Sequence, residues 1–536
     1  MHLDRITGIS PLLTKLVERV ALVCNIIAGS AGSTAMATLM VVCVVPAAVG
    51  ADQPINIGSR LELLLDDYLV ESMKNLSFKL HSPRPAEKVL NFDAPWEGPS
   101  YFGPVSGYVT VFQDAKRYRM YYASWFGHRL KPADPEQQFT CYAESTDGIH
   151  WTKPSLGLVE FEGSKKNNII RRGGRTSHNF APFIDTRPGV PAGERYKAVG
   201  GNGKAYAFGS ADGIHWRLLG KDPILTGEEP AFDRYDAIRW GNNPKNERAI
   251  LDSQNVAFWD SRSGQYVLYF RAYIRGRTRD GKGMSGAFRF VFRATSRDFL
   301  HWSHIEPIDF GEPPRLWRHE LYTTATKPYY RAPHLYLAFP LRMVPLRPLF
   351  GGSFGIGESA FMFSRQGRRF RLFPEAFLPL GPDAHNWTKH GNMIAWGLLP
   401  TAKDELSIYY QQHDHQKTAH LRRGVLRTDG FVSLHAPPDE AGICISRPLA
   451  FRGQRLVLNV ATGAGGGVRV AILDAKTQTP LKGFDDSREF YGDKIDHTVI
   501  WSGGSDLGAL AGRPVRLRFT MRDTDLYSFR FTPNGD

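Results

Sequence analysis

The stretch Ser145–Trp151 reads STDGIHW, and Ser210–Trp216 reads SADGIHW, the same phrase 65 residues further on. Looser copies follow: SRDFLHW at Ser296–Trp302, SRQGRRF at Ser364–Phe370 and TDGFVSL from Thr428. Self-similarity at this interval marks stacked supersecondary units rather than a single turn. Each phrase follows a short alternating run, such as TCYAES, AYAFGS or FVFRATS, with the period of two expected for a strand. Asp-Gly then supplies a tight turn, and the aromatic residue returns on the next strand to cover it. The phrase is therefore read as a hairpin sealed by its own ring, and His150 and His215 are read as structural.

Two further strands precede each phrase, for example SGYVTVFQD and RYRMYYASWF before the first, and NVAFWD and QYVLYFRAYI before the third. Five four-stranded units describe a five-bladed β-propeller. The predicted innermost strands are Gly107–Phe112, Phe180–Ile184, Val256–Trp259, Tyr322–Thr326 and Met393–Trp396. LELLLDDYLVES, from Leu61, is expected to close the ring by pairing with the last blade. Beyond His435 the texture changes to short strands and Gly-rich turns, which predicts a β-sandwich. The expected fold class is all-β: residues 1–51 a leader, 52–435 the propeller, and 436–536 the sandwich, which either binds glycan or braces the ring.

Lys and Arg number 67 against 53 Asp and Glu, a net charge of +14 without a long basic block. That spread disfavours nucleic acid and fits an exported protein that meets an acidic partner. Of the four cysteines, Cys24 and Cys43 lie in the leader. Cys141 and Cys444 are too few for a disulfide framework or a thiolate metal cluster, and read as two buried apolar residues or one domain-linking bridge. The segment STAMATLMVVCVVPAAVGADQ has an apolar core followed by small residues, the pattern of an export signal cleaved near Gly50 or Ala51. A secreted or periplasmic protein is expected, without a firm membrane partner.

With SxDGxxW units, PWEG near Trp96, LDSQNVAFWD from Leu251 and TDGFVSLHAP, residues 55 to 435 resemble exported bacterial glycosyl-hydrolase-like proteins. These are similar to the five-bladed propeller glycosidases, the invertase, arabinanase and β-xylosidase group. The turn phrase also resembles the aspartate box of sialidases, which has one more residue between Asp and Gly. The invertase-type motifs WMNDPNG and RDP are absent, a departure from sucrose- and fructan-type chemistry. The resemblance implies glycoside cleavage in a central funnel, with three acids.

Residues just ahead of the innermost strands are polar, ionisable or aromatic in every unit: Trp96, Glu97 and Tyr101; His178 and Asn179; Asp252, Gln254 and Asn255; Arg318, His319 and Glu320; Asn386, Trp387, His390 and Asn392. Glycoside cleavage needs one carboxylic acid to protonate the leaving oxygen and one carboxylate to activate water or attack carbon. Glu320 is expected as the acid, Asp252 as the base or the residue that sets the acid's pKa, and Glu97 in the third role, with Asp66 competing. Trp96, Trp387 and Trp396 are candidates to stack on sugar. His178, Asn179, Asn255, His319, His390 and Asn392 are candidates to bind the substrate. Arg271 and Arg342 are placed to meet a carboxylate or sulfate, or to pair with the acids. His178, His319 and His390 come from three blades, but no HxxxH or HExxH spacing, phosphate loop or nucleotide fingerprint is present, so no metal or cofactor is expected. The loop Leu346–Ser359 is read as a lid or a plug. A non-catalytic glycan- or protein-binding propeller and a glycoside phosphorylase are the alternatives to a hydrolase acting on a carbohydrate, acidic or sulfated carbohydrates included.

Overall fold

In the computed structural model, residues 53–98, 105–125, 138–173, 177–235, 237, 248–275, 287–311, 320–344, 347 and 355–533 are described. Contacts divide the chain into Met1–Gln53 and Pro54–Asp536, and the fold lies in the second unit. The leader, Tyr101, Arg318 and His319 lie outside the described residues.

Five antiparallel sheets form the blades of a propeller. The first is Val105–Asp114, Arg117–Trp125, Gln138–Ser145 and Ile169–Arg172. The second begins with Ala181–Ile184, Tyr196–Gly200 and Lys204–Ser210, and the third with Val256–Asp260, Gln265–Arg275 and Ala287–Ser296. In the fourth, Lys327–Tyr329 pairs with Ala332–Ala338. The stretch Tyr322–Thr326, expected as its inner strand, instead runs as irregular backbone into that strand. The fifth joins Met393–Ile394 and Leu399–Ala402 to Glu405–Gln412 and His420–Arg427.

The ring is closed by Arg84–Asn91, which pairs with His420–Arg427 as the outer strand of the fifth blade. This corrects the expectation for the segment from Leu61. There Glu62 and Leu63 pair with Phe529 and Ser528. Val70–Lys74 pairs with Gly442–Ser446. Ile55–Gly58 and Ser77–Leu80 join the same C-terminal sheet, in which ten strands are connected by hydrogen bonds. The Leu61–Leu65 run alternates: Leu61, Leu63 and Leu65 enter the main propeller core, while Leu64 enters the C-terminal core. Period-two patterning thus stitches one strand segment to two cores. Cys141 and Cys444 are buried and free.

The repeated phrase builds one hairpin design. The Gly148 N–H donates to Ser145 Oγ at 2.9 Å. The Ile149 and His150 N–H groups donate to Asp147 at 2.8 Å. Trp151 Nε1 donates to the Gly148 carbonyl at 3.1 Å. The second copy repeats these bonds at 2.9, 2.8, 2.8 and 3.0 Å. In the third copy Phe299 takes the glycine's place, with φ of 75°, and the bonds persist. The turn also locks blades together: Tyr121 of blade one donates to the Gly213 carbonyl of blade two at 3.0 Å, and Tyr409 of blade five to that of Gly148.

A second lock repeats at the finishing ends of the inner strands. Asp114 accepts from Tyr196 of the next blade at 2.5 Å, Asp185 from Tyr266 at 2.6 Å, and Asp260 from Tyr336 at 2.6 Å. Charge-assisted hydrogen bonds of this kind are stronger than neutral ones.

Candidate active site

The starting ends of the same strands carry a different population. Asp252, ahead of the third inner strand, lies 2.8 Å from Arg271 and 3.4 Å from His178 of the second blade. His178 packs edge-on against Tyr108 and Trp125 of the first blade, and its Nδ1 meets Gln138 at 3.1 Å. The Tyr108 and Tyr322 hydroxyls are 3.0 Å apart, joining blades one and four. The Tyr322 ring carries the Arg271 guanidinium at 4.4 Å, with Lys389 at 5.2 Å and Arg289 at 5.5 Å. Arg289 also pairs with Glu320. On the fifth-blade side His390 packs on Tyr322 with ring centroids 4.8 Å apart, and its Nδ1 meets Asp414 at 2.9 Å. One contiguous cluster therefore draws side chains from all five blades.

Local structure explains the aim of several of them. Tyr108 has φ of 51° at a register break between Gly107 and Thr110. Such a bulge re-aims a side chain, here into the Tyr322 and His178 contacts. Asn255 holds the Asp252 loop, donating to the Leu251 carbonyl at 3.0 Å and accepting from the Arg271 N–H at 3.3 Å. Gln254 donates to the Val109 carbonyl at 2.8 Å and so ties this loop to blade one.

The two central acids are tuned in opposite directions. Burial pushes Asp252 up, but Arg271 and His178 outweigh it and hold its carboxyl at about 2. Burial pushes Glu320 above its ordinary value, and Arg289 and Arg271 only partly offset the rise. Arg271 is fully buried, with Nε and Nη1 free of hydrogen bonds and its face on Tyr322. One acid of the cluster is thus held ionised and another pushed toward its protonated form, each against an arginine over the Tyr322 ring.

The other expected residues are distributed as follows. Glu97 is fully buried and bonds the Ala94 N–H, Tyr122 and Lys153, all near the first blade. Trp96 donates to Asn168 at 2.8 Å and packs on the first blade's core. Asn179 donates to the Leu251 carbonyl at 2.8 Å, bracing blades two and three. Asn392 donates to the Pro379 carbonyl at 2.8 Å. Trp396 is buried and donates to the Thr326 carbonyl. Arg342 pairs with Glu358, and Asp66 with Arg365. Trp387 is exposed, its indole held by the Gly381 carbonyl at 2.9 Å. Residues 346 and 348–354 of the expected lid lie outside the described residues. Sequence reasoning missed Tyr108, Tyr322, Arg289, Lys389, Asp414 and His415. Of these, the HDH run at His413–His415 was the one visible signal.

Fold and cluster together define a five-bladed β-propeller with a polar, ionisable centre at one end of its axis. The chain matches no known protein-family model. Over 126 residues it is 32% identical to an uncharacterized protein of Mycobacterium tuberculosis, a match covering 24% of this chain and 38% of that protein. The chain thus spans about 38% of the length of the curated relative it matches. Among solved structures it is similar to a glycoside hydrolase at 15% identity and a TM-score of 0.41, covering 65% of this chain and 92% of that one. A β-1,2-mannobiose phosphorylase from Listeria innocua aligns at 10% identity and a TM-score of 0.38, covering 63% and 94%. An N-acetylgalactosamine deacetylase from F. plautii aligns at 12% identity and a TM-score of 0.40, covering 66% and 96%.

Proposed function

We propose that the protein is an exported glycosidase that cleaves an oligosaccharide or polysaccharide at this cluster. The observation that carries the reading is the opposed tuning of two acids in one cluster: Asp252 held ionised by Arg271, and Glu320 pushed up by burial. In this reading Glu320 donates its proton to the leaving glycosidic oxygen. Asp252 takes a proton from the attacking water or attacks the anomeric carbon itself. His178 steadies Asp252, and Tyr108 and Tyr322 offer hydroxyls to sugar oxygens. Arg271, Arg289 and Lys389 make the cluster cationic, which suits an acidic or sulfated glycan. Export rests on the leader pattern ahead of Ala51.

The test is a screen of wild type, Asp252→Asn and Glu320→Gln against polysaccharides and aryl glycosides. Sugar released by wild type and lost in either folded variant supports the reading. Glycan bound equally by all three proteins with nothing released would favour a non-catalytic binding propeller. A second reading, phosphorolysis, is favoured by the unpartnered, buried Nε and Nη1 of Arg271, which could seat a phosphate oxygen. It predicts turnover that depends on inorganic phosphate and yields a sugar phosphate.

A further inference from the structure

On the fifth-blade side of the cluster lie His390, Asp414 and His415, one donor atom from each within 4.8 Å of the other two. His390 Nδ1 stands 2.9 Å from Asp414 Oδ2, and His415 Nε2 stands 3.4 Å from the same oxygen. Asp414 is buried, and its other oxygen is fixed by Gln411 Nε2 at 2.8 Å. Donors about 2.1 Å from one metal ion lie roughly 3.0 to 3.4 Å from each other, for octahedral and tetrahedral geometry respectively. The two separations from Asp414 Oδ2 match those polyhedron edges, and the two histidine donors lie within 4.8 Å of each other.

We propose that His390, Asp414 and His415 bind one first-row divalent transition-metal ion, of the zinc class. Two imidazoles and a single carboxylate select such ions over calcium or magnesium, which prefer oxygen donors. Three protein ligands leave a coordination position open, as in sites that take a further ligand. Gln411 orients the carboxylate from behind, as outer partners of metal ligands do. The His390 ring contacts Tyr322, so the ion would border the cluster described above. The proposal does not depend on that cluster cleaving glycosides.

A second group, Asp383, His385 and His413, lies on the neighbouring loops. Its aspartate is exposed and already caps a short helical turn through the His385 N–H at 3.0 Å. It serves as the control. Full-length protein stripped with a chelator is titrated with Zn²⁺ by calorimetry, and with Co²⁺ while its visible ligand-field absorption is recorded. The expected result is one equivalent bound, with affinity lowered at least about tenfold in His415→Gln and Asp414→Asn and unchanged in His413→Ala. The Co²⁺ spectrum of wild type and His415→Gln reads the site even where Asp414→Asn does not fold. No binding by wild type overturns the proposal. So does binding that His413→Ala removes, or that His415→Gln leaves intact.

Discussion

The two ends of the inner strands solve different problems with similar residues. At the finishing ends, Asp114, Asp185 and Asp260 each receive a tyrosine hydroxyl from the next blade, in the same geometry three times over. At the starting ends, among the described residues, the acids have differing sets of partners: Asp252 meets Arg271 and His178, Glu320 meets Arg289, and Asp414 meets two histidines. Repetition holds the ring together, and its absence marks where chemistry can differ from blade to blade. A charged group in a repeated lock has its partner built in. In the irregular cluster Asp252 is held below, and Glu320 pushed above, its ordinary value.

The largest expected effect separates the two ends. Asp252→Asn or Glu320→Gln should lower glycoside turnover per folded molecule by about 10²- to 10⁴-fold, well beyond any loss of stability from taking a carboxylate away from Arg271 or Arg289. The pH profile sharpens the assignment of the acid. Glu320 must be protonated to act, so activity falls as pH rises through its elevated pKa. Arg289 holds that pKa down, so Arg289→Met should move the alkaline limb to higher pH.

The next effect belongs to the locks. Asp185 also pairs with Lys197 at 2.7 Å, both side chains buried. Asp185→Ala removes the buried partner of that lysine, leaving it only Glu194 at 3.3 Å, and should cost about 3 kcal/mol in urea unfolding, with turnover per folded molecule unchanged. Tyr336→Phe removes a bond to the Asp260 carboxylate alone and should cost about 1.5–3 kcal/mol. If both lock variants also lose turnover, the ends are coupled and the division drawn above fails.

Acid should weaken the ring through a third population. Burial holds His81 and His420 near a pKa of about 4, below the ordinary histidine value. The unfolded chain then binds more protons than the folded one between pH 6.5 and 4. Stability present at neutral pH should therefore be lost progressively across that window, read as a falling urea midpoint, and His420→Gln should flatten the slope. The smallest effect is expected at an exposed turn. Hydrogen bonds from His150 hold the Asp147 carboxyl well below its usual range. Asp147→Ala should cost about 1 kcal/mol. The contribution of Asp147 is present above the ordinary aspartate value and fades as pH drops below it.

The ring was legible because STDGIHW recurs with its strand patterning, and periodicity survives sequence drift better than any single contact. Asp252, His178, Glu320 and His390 were legible as chemistry-bearing residues ahead of inner strands, and Arg271 as a cation following an aromatic run. Asp414 and His415 were not, because they sit in the loop after Glu405–Gln412 rather than ahead of an inner strand. Arg289 was hidden inside the apolar run AFRFVF of the third strand. The closing strand was missed for a physical reason. Arg84–Asn91 reads RPAEKVLN, with Pro, Glu and Lys, the composition of an edge strand rather than of a core. LELLLDDYLVES looked more like a strand because it faces two cores at once.

Closure by Arg84–Asn91 sets the order in which the molecule can assemble. Its partner, His420–Arg427, emerges from the ribosome more than three hundred residues later. The C-terminal sheet imposes the same delay on Ile55–Leu80, whose partners reach Phe529. Contacts of such sequence separation make for slow folding. Until the last strands are synthesised, both nascent segments present unpaired edges, open to pairing with other chains. Productive folding should therefore depend on whatever shields those edges during synthesis, and a nick between blades should leave a ring held shut by its two ends.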